Sequence, residues 1–170
     1  MPKPERTNAM RLLDSRKIPY VAHAFSPEIH SAEGVAQALG FPPSQVFKTL
    51  VTLSEVPRAK PVLAIIPGDA ELDLKKLAKL LGEKKMRMAT QREAESLTGL
   101  QVGGISALAL LNKGFRIVVD ASALSWERIL VSAGRRGLNL ELAPQDLIAL
   151  VAAQVGEVTT APTTPQGGGY

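Results

Sequence analysis

The amino-acid sequence predicts a single domain of the mixed α/β or α+β class. The length of 170 residues falls within the usual size of one domain. Hydrophobic residues make up 45% of the chain and charged residues 21%, which is enough apolar material for a sizeable core. Segments with strand and helix patterns interleave without a regular βαβ rhythm, so we expect a mixed arrangement rather than a parallel doubly wound sheet.

The elements of the first half follow from apolar spacing and from residues that cap or stop helices. Pro19 ends an initial amphipathic helix, and Ser31 can cap the next one, which Gly40 stops. Asp73 can cap a third helix that Gly82 closes, and apolar runs between these helices indicate buried strands. The predicted elements are a helix over 6–17, a strand over 20–25, a helix over 32–39, strands over 46–53 and 61–66, and a helix over 74–81.

The second half is assigned in the same way. Thr90 can cap a short helix, and Pro144 suits the first turn of the last helix because its φ is already helical. The Thr-, Pro- and Gly-rich segment from Gly156 cannot bury much apolar surface, so we expect a folded domain over 1–155 and a disordered tail over 156–170. The remaining predicted elements are strands over 86–89, 115–120, 128–131 and 138–142, with helices over 91–97 and 144–153.

Several chemistries are excluded by composition. The chain has no cysteine, which rules out disulfides, cysteine-ligated metals and a cysteine nucleophile, and two histidines cannot form a three-histidine metal site. Nucleotide-binding and zinc-protease motifs are absent, so we expect no cofactor and no metal. No apolar run approaches the ~20 residues of a membrane span, and the first residues lack a secretory signal. The expectation is a soluble cytoplasmic protein without a membrane partner.

Lysine 48 is unusual because its neighbours on both faces of the predicted strand are largely apolar. Such a lysine either protects an edge strand or holds its charge in a pocket, where it could bind a carbonyl, carboxylate or phosphate group. The sequence leaves both interpretations open.

Two glycine-containing turns are further candidates. Gly103 and Gly104 allow the backbone to approach a ligand, and successive N–H groups can hold an oxyanion, although an ordinary turn has the same composition. Arg135 and Arg136, in a turn of small residues, could bind phosphate or could be solvated. A run over 75–92 has seven basic residues and one acidic residue, which suits a nucleic-acid backbone or a solvated helix face.

Four stretches together carry a family resemblance. They are SQVFKTL at 44–50, ELDLKKLA at 71–78, TGLQVGGIS at 98–106 and VSAGRRGL at 131–138. In order and spacing the chain resembles the YbaK/EbsC family of freestanding aminoacyl-tRNA deacylases, over roughly residues 6–153. That family is related to the editing domain inserted in bacterial prolyl-tRNA synthetases. The resemblance implies a central mixed, partly barrel-like sheet with flanking helices.

The resemblance implies an enzyme that removes a mischarged amino acid from tRNA. The branch it most resembles acts on Cys-tRNA(Pro), where the thiol of the substrate attacks its own ester and no protein nucleophile is needed. Lys48 matches the key site lysine, and Gly103 and Gly104 match the loop that closes on the ester. The implied pocket residues are Thr49, Phe25, Ile105, Ser106, Ser132 and Asn139. The implied tRNA contacts are Lys75, Lys76, Lys79, Lys84, Lys85, Arg135 and Arg136.

The chain departs from the family pattern at three positions. Ala107 stands where proline is frequent, Asn139 where an acidic residue is frequent, and Phe25 where some relatives have tyrosine. The expected partners are aminoacyl-tRNA, with tRNA(Pro) first, and prolyl-tRNA synthetase. Three alternatives remain: a deacylase for Ala-tRNA(Pro) or another mischarged tRNA that uses water, a catalytically silent tRNA- or synthetase-binding module, and a purely structural Lys48 on an exposed edge strand.

Overall fold

The computed structural model describes residues 6–160, which form five α-helices, two 3₁₀ helices and eight strands. The α-helices are α1 (Asn8–Ser15), α2 (Ala32–Leu39), α3 (Leu74–Leu81), α4 (Gln91–Thr98) and α5 (Pro144–Val151). The strands are β1 (Val21–Ala24), β2 (Phe47–Ser54), β3 (Val62–Pro67), β4 (Met86–Met88), β5 (Arg116–Asp120), β6 (Ile129–Ser132), β7 (Leu138–Leu142) and β8 (Gln154–Gly156). The 3₁₀ helices are Leu108–Lys113 and Ala121–Ser125.

The predicted helix caps are confirmed. The Ser31 hydroxyl accepts a hydrogen bond from the Gly34 N–H, and the Asp73 carboxylate accepts two from the first turn of α3. Thr90 forms a reciprocal capping box with Glu93 at the start of α4. These local bonds satisfy N–H groups that a helix leaves unpaired at its start, so the sequence positions of α2, α3 and α4 are set by their caps.

The strands divide between two sheets. The larger has the order β4-β2-β3-β5-β8, in which β2 runs antiparallel to β3 and β4, whereas β3, β5 and β8 are parallel. The smaller is antiparallel, with the order β1-β7-β6. An isolated parallel bridge between Val46 and Leu130 joins them. The predicted mixed α/β class is confirmed, and partly barrel-like curvature stays a prediction.

The main core contains the facing sides of the two sheets. Phe47, Val51 and Leu63 from the larger sheet belong to the same buried cluster as Leu138 and Leu140 from the smaller one. A second cluster lies beneath α3, and a third packs α2 against Val46 and Leu130. Each fully buried aliphatic side chain stabilises the fold by about 1.5–3 kcal/mol. The third cluster holds α2 beside the bridge between the sheets.

The prediction of disorder from Gly156 is wrong for residues 156–160. Strand β8 pairs in parallel with β5, and Val158 is fully buried. The Val158 N–H donates to the Asp120 carboxylate at 2.9 Å, and the Thr159 carbonyl accepts from Lys76 Nζ at 2.9 Å. Burial of this valine and the hydrogen bonds to the backbone order the segment, although its composition predicts disorder. The rest of the predicted tail, 161–170, lies outside the described residues.

The two 3₁₀ helices and β8 have no counterpart among the predicted elements. Each is short, and the buried side chains Leu108, Leu110 and Ala123 fix the 3₁₀ helices against the main core through non-local packing. Within residues 6–160, no helix is long and apolar enough to span a membrane.

Candidate active site

A small cleft of about 200 Å³ lies where the start of α2, the first half of β2, the loop after α4 and the strands β6 and β7 meet. Ligand pockets for drug-sized molecules usually measure roughly 300–1,000 Å³, so this cleft suits a small group such as an amino acid. Six of the predicted site residues line it: Lys48, Thr49, Gly103, Ile105, Ser132 and Asn139.

Lys48 is half-buried in the cleft and is held from one side. It pairs with Ile66 in the β2–β3 ladder, and its Nζ donates to the carbonyl oxygen of Gly68 at 3.1 Å. It is the only lysine or arginine among the described residues of the cleft. An ammonium group has three N–H donors, and one bond to Gly68 leaves the others for a ligand.

Glycine is required at position 68, directly after β3, by close packing. Its N–H donates to the Val46 carbonyl at 2.7 Å. A Cβ at this position would lie 2.7 Å from the Ala32 Cβ and 2.8 Å from the Val46 oxygen. Glycine therefore lets the chain pass between α2 and β2 and present its carbonyl to Lys48.

The glycine loop offers one backbone donor rather than two. Gly103 has a φ of +93°, and a Cβ there would lie 3.2 Å from the His30 carbonyl oxygen. No described residue accepts a hydrogen bond from the Gly103 N–H. The Gly104 N–H, in contrast, donates to the Gln101 carbonyl at 2.8 Å. The expectation that both N–H groups hold an oxyanion is not supported for Gly104, because the turn uses its N–H, and the role of the Gly103 N–H stays a prediction.

Asn139 and Ser132 form a neutral polar wall of the cleft. They are cross-strand partners in the β6–β7 ladder, on the face opposite to the buried Leu138 and Leu140. The Asn139 side chain is only 5% exposed, and the Ser132 hydroxyl accepts a hydrogen bond from the Gly134 N–H at 3.2 Å. This wall can accept or donate hydrogen bonds without adding charge.

Three of the predicted catalytic and pocket residues are not among those that line the cleft: Phe25, Gly104 and Ser106. Phe25 packs into the apolar cluster under α2, and Ser106 is only 2% exposed. Among the described residues nothing accepts or donates a hydrogen bond at the Ser106 hydroxyl. Direct pocket contacts from Phe25 and Ser106 are therefore not seen, since Phe25 packs partly buried beside α2 and Ser106 is buried.

The sequence interpretation missed the contribution of the α2 start. His30, Ser31 and Glu33 line the cleft, and Glu33 is the only acidic side chain among its described residues. Ser31 was predicted as a cap, but no local signal shows that this helix end faces Lys48. Within residues 6–160, no three His, Cys, Asp or Glu side chains are grouped to hold a metal ion.

The predicted tRNA-contact lysines divide into two groups. Lys75, Lys79 and Lys84 are exposed, and no hydrogen bond or ion pair of their side chains to a described residue is seen. Lys76 donates to the Thr159 carbonyl, and Lys85 lies 3.7 Å from Glu55. Only the first group is fully available to a phosphate backbone.

Two arginines near the cleft or the basic run serve internal contacts. Arg87 pairs through two hydrogen bonds with Glu93, and these bonds, with the Thr90 N–H, lower the pKa of Glu93 from 4.5 to about 2. Arg136 Nε donates to the Val102 carbonyl at 2.7 Å. Arg135 is exposed and makes no such bond to a described residue.

Known proteins are similar to this chain over most of its length. The aminoacyl-tRNA editing domain family matches residues 26–150. The chain belongs to this family. It is 43% identical over 158 residues to the Enterococcus faecalis protein named "Putative Cys-tRNA(Pro)/Cys-tRNA(Cys) deacylase EbsC". The aligned region covers 92% of this chain and 94% of that protein. The resemblance to the YbaK/EbsC family is thereby confirmed.

The chain is also similar to part of prolyl-tRNA synthetases in sequence and to solved structures in fold. The proline–tRNA ligase of Aquifex aeolicus is 31% identical over 107 residues, which are 63% of this chain but only 18% of that enzyme. A solved structure described as a putative trans-editing enzyme for prolyl tRNA synthetase has 26% identity and a TM-score of 0.76, and the match covers 95% of this chain and 100% of that one. Another solved structure, of hypothetical protein APE2540, has 27% identity and a TM-score of 0.82, with 90% and 99% covered.

Proposed function

We propose that this protein is a freestanding deacylase that removes cysteine from Cys-tRNA(Pro). The observation that carries the proposal is that Lys48 and Gly103 line the same small cleft, and that the Gly103 N–H has no acceptor among the described residues. Membership of the aminoacyl-tRNA editing family supports the reaction class, and the name of the E. faecalis relative supports the cysteine ester.

The thiol of the substrate is the nucleophile in this proposal. Its sulfur forms a bond to the ester carbonyl carbon, and the bond from that carbon to the ribose oxygen then breaks. The proton lost by the thiol goes to the ribose oxygen, and the resulting thiolactone is hydrolysed to free cysteine. Because nucleophile and ester belong to one molecule, positioning supplies much of the rate through effective molarity.

The protein supplies orientation and charge stabilisation. The Gly103 N–H donates to the oxygen that becomes negative during the attack, which is how preorganised donors lower such barriers. Lys48, fixed by the Gly68 carbonyl, anchors the terminal adenosine with its remaining donors. Glu33 offers a carboxylate to the free ammonium of the amino acid, since it is the one acidic side chain among the described cleft residues.

The selectivity for tRNA(Pro) comes in part from a partner. The exposed lysines Lys75, Lys79 and Lys84 can contact phosphates without reading bases. Prolyl-tRNA synthetase, part of whose sequence this chain resembles, is the proposed source of tRNA selection.

The test is a deacylation panel with three esters of tRNA(Pro): cysteine, alanine, and 2-aminobutyrate, in which a methyl group replaces the thiol. Wild type is compared with Lys48→Ala and with Lys113→Ala, a matched control for an exposed lysine outside the cleft. We expect release of cysteine alone, a loss of about 100-fold or more in Lys48→Ala, and no change in Lys113→Ala.

Other results contradict the proposal in distinct ways. Equal release of 2-aminobutyrate and cysteine would show that water is the nucleophile, and release of alanine would assign the Ala-tRNA(Pro) branch. Full activity in Lys48→Ala would remove that residue from the mechanism. Binding of tRNA without release of any ester, with prolyl-tRNA synthetase present, would indicate a binding module.

A further inference from the structure

The residue before the glycine pair is held on both sides of its backbone by charged side chains. The Val102 N–H donates to Glu95 Oε2 at 2.9 Å, and the Val102 carbonyl accepts from Arg136 Nε at 2.7 Å. Glu95 comes from α4 and Arg136 from the turn between β6 and β7. Hydrogen bonds with one charged partner are roughly twice as strong as neutral ones. These two bonds are called the Val102 clamp.

The loop after Val102 packs closely against the backbone of another turn. Changes in side-chain conformation alone therefore cannot accommodate a shift of this loop. A Cβ on Gly104 would lie 2.7 Å from the Arg135 carbonyl carbon and 2.8 Å from the Arg136 nitrogen. Backbone atoms on that side cannot move out of the way independently. The Gly104 N–H also closes a turn with Gln101. The position of Gly103 in the wall of the cleft therefore depends on where Val102 is held.

We propose that Glu95 and Arg136 are positioning residues that aim the Gly103 N–H at the reacting carbonyl. The inference rests on the proposed deacylase function. It also gives Arg136 a role different from the tRNA contact that the sequence suggested, because its Nε is already committed to Val102. A displacement of about 1 Å in such a donor can cost on the order of 100-fold in rate, so the clamp controls turnover rather than binding.

The first test compares Arg136→Lys with Arg16→Lys. Both keep the positive charge, but only the first removes a planar Nε–H that bonds Val102. Arg16 is the matched control because it is exposed, lies outside the cleft, and its side chain makes no bond to a described residue. We expect Arg136→Lys to lower kcat for Cys-tRNA(Pro) by about 10- to 100-fold, with KM within about twofold. Arg16→Lys should keep the wild-type kcat.

The second test follows the loop itself. Glu95→Ala removes the acceptor for the Val102 N–H, so amide hydrogen exchange should become faster at Val102 and at Gly104, whose N–H closes the turn with Gln101, while exchange in β3 stays unchanged. This measurement needs no substrate, and it judges the clamp even if the wild-type protein releases no amino acid and the proposed function fails. Thermal unfolding of each variant identifies any general loss of structure.

Two results would overturn the inference. The first is an Arg136→Lys variant with normal kcat but a raised, salt-dependent KM, since that is the behaviour of a phosphate contact. The second is unchanged exchange at the hydrogen-bonded amides of Val102 and Gly104 in Glu95→Ala. If Arg136→Lys proves unfolded, the inference is tested with Glu95→Ala alone. It then requires both a lowered kcat and faster amide exchange in that variant.

Discussion

Asp120 connects the last described segment of the chain to the larger sheet, and its replacement by asparagine should weaken that connection. The carboxylate is 3% exposed. One oxygen accepts from the Val158 N–H at 2.9 Å, and the other accepts from the Ser122 N–H and hydroxyl at 3.2 and 2.5 Å. An asparagine of nearly the same shape keeps only one acceptor oxygen, so one of these two sets of donors loses its partner.

The expected cost follows from which donor can find water. Val158 is fully buried and Ser122 is exposed, so the asparagine oxygen should stay with Val158 and the amide nitrogen should face Ser122. Loss of a charge-assisted bond with partial compensation by water costs about 1–3 kcal/mol. In a protein of this size, 1 kcal/mol corresponds to roughly 2–4 °C in Tm. We therefore expect Asp120→Asn to lower Tm by about 2–12 °C.

Urea unfolding and thermal unfolding measure the change, with Asp69→Asn as the control for an exposed aspartate. Faster hydrogen exchange at the Val158 amide, together with earlier proteolytic cleavage within 154–160, would place the effect at this contact. A free energy of unfolding within about 0.5 kcal/mol of wild type and an unchanged Val158 amide would refute the reasoning.

Two further predictions concern charged side chains. Because Arg87 holds the pKa of Glu93 at about 2 rather than 4.5, the pair should stabilise the fold above pH 4.5 and lose this effect as the pH falls toward 2. An NMR titration of Glu93 should show this pKa, and Arg87→Ala should raise it; a wild-type value near 4.5 would contradict the pairing. Replacing Lys75 and Lys79 by glutamine should reduce the slope of log K for tRNA binding against log salt by roughly 1.5. An unchanged slope, or an equal reduction in Lys113→Gln, would exclude Lys75 and Lys79 as phosphate contacts.

Much of the secondary structure could be predicted because its signals are local. Ser31, Asp73 and Thr90 bond N–H groups two or three residues away, so the caps identify helix starts without reference to the fold. The segment after Gly156 was predicted wrongly because its order depends on Asp120, which is distant in sequence. The composition of a segment predicts its average burial. It cannot predict that one residue, Val158, is fully buried by contacts with distant parts of the chain.

The site was predictable in part, for a similar reason. The resemblance identified Lys48 and the glycine motif as members of one site, and the structure brings both to the same cleft. It could not show that the Gly104 N–H closes a turn, or that Phe25 packs beneath α2, because both depend on packing between separate elements. The Gly68 carbonyl beside Lys48 carries no side-chain signal at all. The catalytic roles of Lys48 and Gly103 stay predictions.

Strand β8 also has a consequence for fragments of this protein. The editing-domain family matches residues only as far as 150, whereas the described edge of the larger sheet is β8, at Gln154–Gly156. A fragment cut at 150 would expose β5, whose Ile117, Val118 and Val119 are buried. An apolar edge with free N–H and C=O groups is a template for pairing with another chain. The few residues beyond the family boundary thus cover the edge of β5, and the shorter fragment should aggregate more readily than the longer chain.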